Sequence, residues 1–186
     1  MDTPPARIVR HHSGHGQWEI VFRAPAPRLR AYVRDYQGYF ASTKAPMLQR
    51  EPPSGDVVMI VTLGPGLRSV DPRNPAVTTE HQNGFVAGLH DSYALIETSG
   101  VQQGLEVRFT PIGAHLVFGL PMHTLANRTV ALDDIIGPLA RQVTEQLHEA
   151  PDWESRFAIL DSVITTRLAQ AREPSASPAV AWAWIN

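Results

Sequence analysis

Between Trp18 and Phe109 the chain repeatedly sets apolar residues at every second position and then stops at a glycine or proline. This short period constrains the fold more than any other feature. Trp18, Ile20 and Phe22 fall on one side of an extended segment, with Glu19 and Arg23 on the other. Leu105, Val107 and Phe109 repeat the pattern, with Glu106 and Arg108 between them. Successive strand side chains point to opposite faces, so each segment reads as a strand with one buried face. Phe85, Ala87 and Leu89 alternate in the same way, as do Tyr93, Leu95 and Glu97. From Val57 to Leu63 the run is apolar apart from Thr62 and ends at Gly64-Pro65-Gly66, which suits a fully buried strand. Glu51-Pro52-Pro53-Ser54-Gly55 is a turn, and Arg28 to Phe40 reads as a short helix running into a strand. Short strands separated by Gly and Pro turns make a β-sandwich or barrel.

After Pro111 the period changes to that of a helix. Leu132-Asp133-Asp134 is a helix start with its acids at the favourable end of the helix dipole, and Ile135, Ile136, Leu139, Val143 and Leu147 follow as one stripe. Glu149-Ala150-Pro151-Asp152 turns the chain into a second helix from Trp153 to Ala171, whose stripe is Trp153, Phe157, Leu160, Ile164 and Leu168. That stripe can pack on the barrel and the preceding helix, or serve a two-fold partner as a dimerisation face. The fold class expected is therefore α+β: a flexible arm over 1–16, a barrel over 17–112, a helical hairpin within 113–171, and a linker over 172–186. In that last segment Ser177 and Pro178 suit the start of a further helix carrying Val180, Trp182, Trp184 and Ile185.

Composition excludes several roles. There are 16 Lys and Arg against 18 Asp and Glu, a formal net charge of -2, so the chain lacks the basic excess of a protein that grips a phosphate backbone. It has no cysteine, which rules out disulfides, thiolate metal sites and a Cys nucleophile and suits the cytoplasm. The polar, proline-rich start and the lack of a long apolar run predict neither a leader nor a membrane span. No Gly-x-Ser-x-Gly occurs, and Gly64-Pro65-Gly66 lacks the Gly-Lys-Ser/Thr of a phosphate loop. Catalysis is not expected.

Taken in order, Tyr36-Gln37-Gly38-Tyr39, Glu51-Pro52-Pro53, Leu63-Gly64, Gly84-Phe85-Val86-Ala87-Gly88, the stretch from Val107 to Ala114, Phe118, Leu120-Pro121 and the stretch from Asn127 to Asp134 resemble the N-terminal region of AraC-family transcription regulators. Ser177-Pro178-Ala179-Val180-Ala181-Trp182 resembles the approach to that family's first DNA-binding helix. The resemblance covers nearly everything from residue 17 onward. It implies a cupin-like β-barrel that senses a small effector, helices that contribute to a homodimer, and DNA contact only through a helix-turn-helix region outside this sequence. It implies no cofactor.

A pocket inside the barrel is expected to be lined by Trp18, Met59, Phe85, His90, Val107 and Phe109, where alternate residues converge; a barrel filled by its own side chains is the competing reading. The rival function is a cupin-type metal-dependent enzyme. A cupin metal motif would run Gly, His-x-His, Glu, Gly; here Gly84, His90, Ser92, Glu97 and Gly104 hold those intervals, with Ser92 where the second His belongs. Pro111-x-Gly113-x-His115 brings its His one position early. A metal site with a ligand missing is not a metal site. His11-His12-x-x-His15 reads as a solvated cluster, and His81, His123 and His148 as surface or turn residues.

Overall fold

The computed structural model describes residues 4–171. The linker and tail expected over 172–186, with Trp182 and Trp184, lie outside the described residues. Strands come first: β1 (Arg7–Ser13), β2 (Gly16–Arg23), β3 (Val33–Thr43), β4 (Met47–Glu51), β5 (Val57–Thr62), β6 (Leu67–Asp71), β7 (Asn74–His81), β8 (Gly84–Ala87), β9 (Ala94–Thr98), β10 (Val101–Phe109) and, later, β11 (Thr129–Ala131). They pair antiparallel in a seven-stranded sheet of order β1-β2-β3-β10-β5-β8-β11 and a four-stranded sheet of order β4-β9-β6-β7. The helices are α1 (Pro111–Phe118), α2 (Leu132–Ile136), α3 (Pro138–Glu149) and α4 (Trp153–Gln170). The architecture is α+β, a two-sheet antiparallel barrel followed by helices, as expected.

The main core lies between the large sheet and the helices, not between the sheets. Val21, Tyr36, Val57, Met59, Val61, Val86, Leu105, Val107 and Phe109 point from one face of the large sheet onto Ala114, Val117, Phe118, Leu132, Ala140, Val143, Leu147, Phe157, Leu160 and Ile164. A smaller cluster of Ile60, Leu67, Phe85 and Ile96 sits between the sheets. Phe157 and Leu160 are 0% exposed and Ile164 is 1% exposed, so three members of the stripe assigned to dimerisation are spent within the chain. Trp153 and Leu168 also pack against this core, partly buried. Burial against a broad apolar sheet outcompetes exposure of the same residues to a partner.

Local chemistry sets the boundaries. Thr110 caps α1 by accepting from the Gly113 N–H at 3.0 Å, with Pro111 in the first turn. Asp152 caps α4 by accepting from the Ser155 N–H at 2.8 Å. The single helix expected from Leu132 to Leu147 is two: Gly137 takes φ 57° and Pro138 starts afresh, so α2 and α3 meet at a corner. The expected helix after Arg28 is only a 3-10 turn, Pro27–Leu29. Nor is all of 1–16 a loose arm. Residues 7–13 form β1, in register along β2 from Arg7 opposite Phe22 to Ser13 opposite Gly16, and His11 stacks on Trp18 at 5.4 Å. As an edge strand, β1 needs no buried face and so carries no alternation to read.

α4 is fastened to the sheet through a polar cluster. The Tyr36 hydroxyl donates to Asp161 Oδ1 at 2.8 Å, Arg23 Nη1 to Asp161 Oδ2 at 2.9 Å, and the Ala26 N–H to Asp161 Oδ1 at 3.2 Å. Burial, then the Asp161 charge, holds the Tyr36 phenol far above its ordinary range. Trp153 Nε1 donates to Glu19 Oε1 at 2.8 Å; this bond outweighs burial and lowers the Glu19 carboxyl. The Trp153 ring lies on Gly38, where a Cβ would come within 2.5 Å of Cε3. Gly38 lets the helix approach the sheet.

Candidate functional site

A cavity of about 610 Å³ opens between the two sheets. Its floor follows from the strand register. On the face of the large sheet turned away from the helices, Gln37 on β3 stands opposite Glu106 on β10, Glu106 opposite Ile60 on β5, and Ile60 opposite Phe85 on β8. A parallel row brings Arg108 opposite Val58 and Val58 opposite Ala87. The small sheet supplies Gln49 and Glu51 from β4, Leu67 from β6 and Ile96 from β9. One pole of the cavity is thus polar and the other, the Ile60–Leu67–Phe85–Ile96 cluster, is apolar.

The polar pole is electrically uneven. Arg108 Nη2 pairs with Asp56 Oδ2 at 3.2 Å, and Arg34 holds the other oxygen of Asp56 at 3.4 Å. Glu106 makes no hydrogen bond or ion pair with any described residue. Burial pushes its carboxyl up to about 7; Arg108 opposes the rise, and Asp35 and Glu51 add to it. Asp35 is also raised, by burial and then by Asp56, against the pull of Arg108. Tyr39 lies across Gly104, where a Cβ would come 2.6 Å from its hydroxyl. Burial, then Glu106 and Glu51, hold that phenol far above its ordinary range. His90, in the loop after β8, has a buried Nε2 with no hydrogen-bond partner among the described residues.

Of the expected lining residues, Trp18, Phe85 and His90 border this cavity. Met59, Val107 and Phe109 do not. They sit on the opposite face, in the core under the helices, where Phe109 meets Phe118 edge-on at 5.4 Å. The expectation assumed that the apolar face of β5 and β10 looks into the barrel. In fact the helices take the apolar face, and the polar one, with Gln37, Tyr39, Glu106 and Arg108, looks inward. The sequence carries only the alternation of Glu106 and Arg108 with Leu105, Val107 and Phe109; the topology, with β10 between β3 and β5, decides what each face meets.

The residues do not fit a metal centre. His90 and Ser92 border the cavity, but Glu97 faces away and pairs with Arg68 at 3.0 Å. His115 lies on α1, across the sheet, bonded through Nδ1 to the Leu120 carbonyl at 2.9 Å. Among the described residues no three His, Cys, Asp or Glu side chains stand together as ligands. His81, expected at the surface, is 1% exposed; its Nε2 meets Ser69 Oγ at 2.9 Å and burial lowers its pKa. No described helix is long and apolar enough to cross a membrane.

Fold and site together define an antiparallel two-sheet barrel that keeps a cavity with one polar and one apolar pole inside and a helical layer outside. Residues 21–131 match the model of DUF6597, a domain of unknown function. That is more than half of the chain, and the chain belongs to this family. The match runs from the middle of β2 through β11, so it covers most of the barrel. No curated protein matches the sequence. Among solved structures, the chain is similar to Fe(II) HppE (TM-score 0.41, 10% identity, 56% of this chain and 56% of that one). It is also similar to the 7S globulin of Momordica charantia (0.35, 8%, 57% and 32%) and to the oxalate decarboxylase of Lactobacillus farciminis in a formate complex (0.33, 11%, 90% and 42%). The aligned parts thus span less than two thirds of each of these chains. None of these likenesses carries an activity over to this protein.

Proposed function

We propose that this domain is the effector-sensing part of an AraC-type transcription regulator, binding a small molecule rather than turning it over. The observation that carries the reading is that β3 serves the cavity and the helices at once. Gln37 and Tyr39 border the cavity, while Tyr36, between them and the helices, bonds to Asp161 on α4. A ligand that favours one setting of β3 therefore changes the seating of α4, and it acts only as far as its affinity differs between the two settings. The cavity volume falls within the range of small-molecule sites. In this reading the domain works as a homodimer, through surfaces other than the Phe157–Leu160–Ile164 stripe, and influences DNA through a separate reader domain.

The test has two parts. A metabolite library screened by thermal shift should yield ligands that protect β3, β10 and α4 from hydrogen exchange. Fused ahead of a heterologous helix-turn-helix domain, the chain should then make a reporter respond to such a ligand. Ligands that bind without any reporter response in either direction refute regulation, and a blank library refutes sensing.

A further inference from the structure

The cavity is unevenly charged. Three carboxylates border it, Glu51, Asp56 and Glu106, against one guanidinium, Arg108. Arg108 is already held by Asp56, which is shared with Arg34. What remains unanswered is the negative charge of Glu106 and Glu51. Glu106 stands in the row Gln37–Glu106–Ile60–Phe85, so the acid is two strands away from the aromatic wall. At about 4.8 Å between neighbouring strands, that separation is roughly 10 Å. A single molecule with a cationic head and an apolar body spans it, its head near Glu106 and Gln37 and its body on Ile60, Phe85 and Ile96. An anion of the same shape would have to break the Arg108–Asp56 pair and sit beside two carboxylates.

We propose, resting on the sensing reading above, that the ligand of this cavity is an organic cation: a protonated amine on an aromatic or branched apolar body, with Glu106 as its counter-ion. The groups facing Glu106 are Asp35 and Tyr39 from β3, Glu51 from β4, and Arg108 from its own strand. An arriving cation favours the ionised form of Glu106. Because that carboxyl is half-protonated near neutrality, affinity should rise about tenfold from pH 6 to pH 8.

A matched trio of probes tests this: phenethylammonium, 2-phenylethanol and phenylacetate, titrated into the full chain and followed by amide NMR. Phenethylammonium should bind at least about tenfold tighter than the other two, a gap of about 1.4 kcal/mol, shifting the amides of Gln37, Glu106 and Phe85. Glu106→Gln should remove that advantage and the pH dependence. Equal or tighter binding of the alcohol or the acid, or an unchanged amine affinity in Glu106→Gln, overturns the cation assignment while the cavity remains a binding site. Silence from all three probes also overturns it. The sensing reading itself is decided separately, by the library screen and the reporter.

Discussion

Replacing Tyr36 by Phe removes one hydroxyl from the polar cluster that seats α4 and little else. The ring is 0% exposed and stacks on Phe157 with centroids 5.9 Å apart, contacts that Phe keeps. What is lost is a bond to a carboxylate, for which about 1.5–3 kcal/mol is typical. Asp161 is not orphaned, because Arg23 and the Ala26 N–H still hold it at 2.9 and 3.2 Å, so the lower half of that range applies, about 2 kcal/mol. Asp161→Asn is worse. It leaves the Arg23 side chain, 12% exposed, with only the exposed Glu154 at 3.2 Å, and breaking a buried pair costs about 3–5 kcal/mol. Chemical denaturation followed by far-UV circular dichroism, with unchanged m-values, should give these losses. The double variant should fall short of the sum by about 0.5–1 kcal/mol, since Asp161→Asn keeps an acceptor for the Tyr36 hydroxyl but already weakens that bond from a charge-assisted one to a neutral one. In a chain of this size the Tyr36→Phe loss corresponds to about 4–8 °C in Tm. A Tyr36→Phe cost under about 0.5 kcal/mol, or strict additivity, would refute the claim that this bond ties β3 to α4.

Three further outcomes are expected. Gly38→Ala should cost about 1–3 kcal/mol by driving a methyl into the Trp153 ring; in a Trp153→Ala background most of that cost should vanish in the same denaturation assay. Glu106 has its carboxyl raised from 4.5 to about 7, so the unfolded chain ionises first and stability drains away as pH climbs between those values. The loss has an upper bound of about 3 kcal/mol, and Glu106→Gln should flatten that part of the stability–pH curve. Phe109→Ala, at 0% exposure beneath the helices, should cost about 3–5 kcal/mol, whereas Trp18→Ala, 37% exposed at the cavity rim, should cost far less. Equal losses in thermal melts would mean that the two faces of the sheet have been assigned the wrong way round.

The candidate site was only partly legible in the chain. Trp18, Phe85 and His90 were expected at a pocket and border one, but Met59, Val107 and Phe109 were placed there by assuming that apolar means barrel interior. Glu106 and Arg108 fall opposite the apolar face in the sequence, and alternation reports that two faces differ but is silent on what covers each. The incomplete metal motif was informative in the other direction. Ser92 in place of a second His already removed a ligand, and the outward turn of Glu97 removes another. β1, β4 and β7 went unread because these edge strands bury too little on either side to leave an alternating pattern, and β6 because its buried residues, Leu67 and Val70, stand three apart.

By itself, the sequence determined the succession of short strands followed by helices, and the helix start at Trp153 with its buried stripe. Those follow from local periodicity, caps and turn residues, which act over a few positions. Tertiary structure alone decided which face of the large sheet each helix would cover. That choice depends on the total apolar area brought together across residues distant in the chain, and it turned the polar face, with its unpaired acid, into the wall of the cavity.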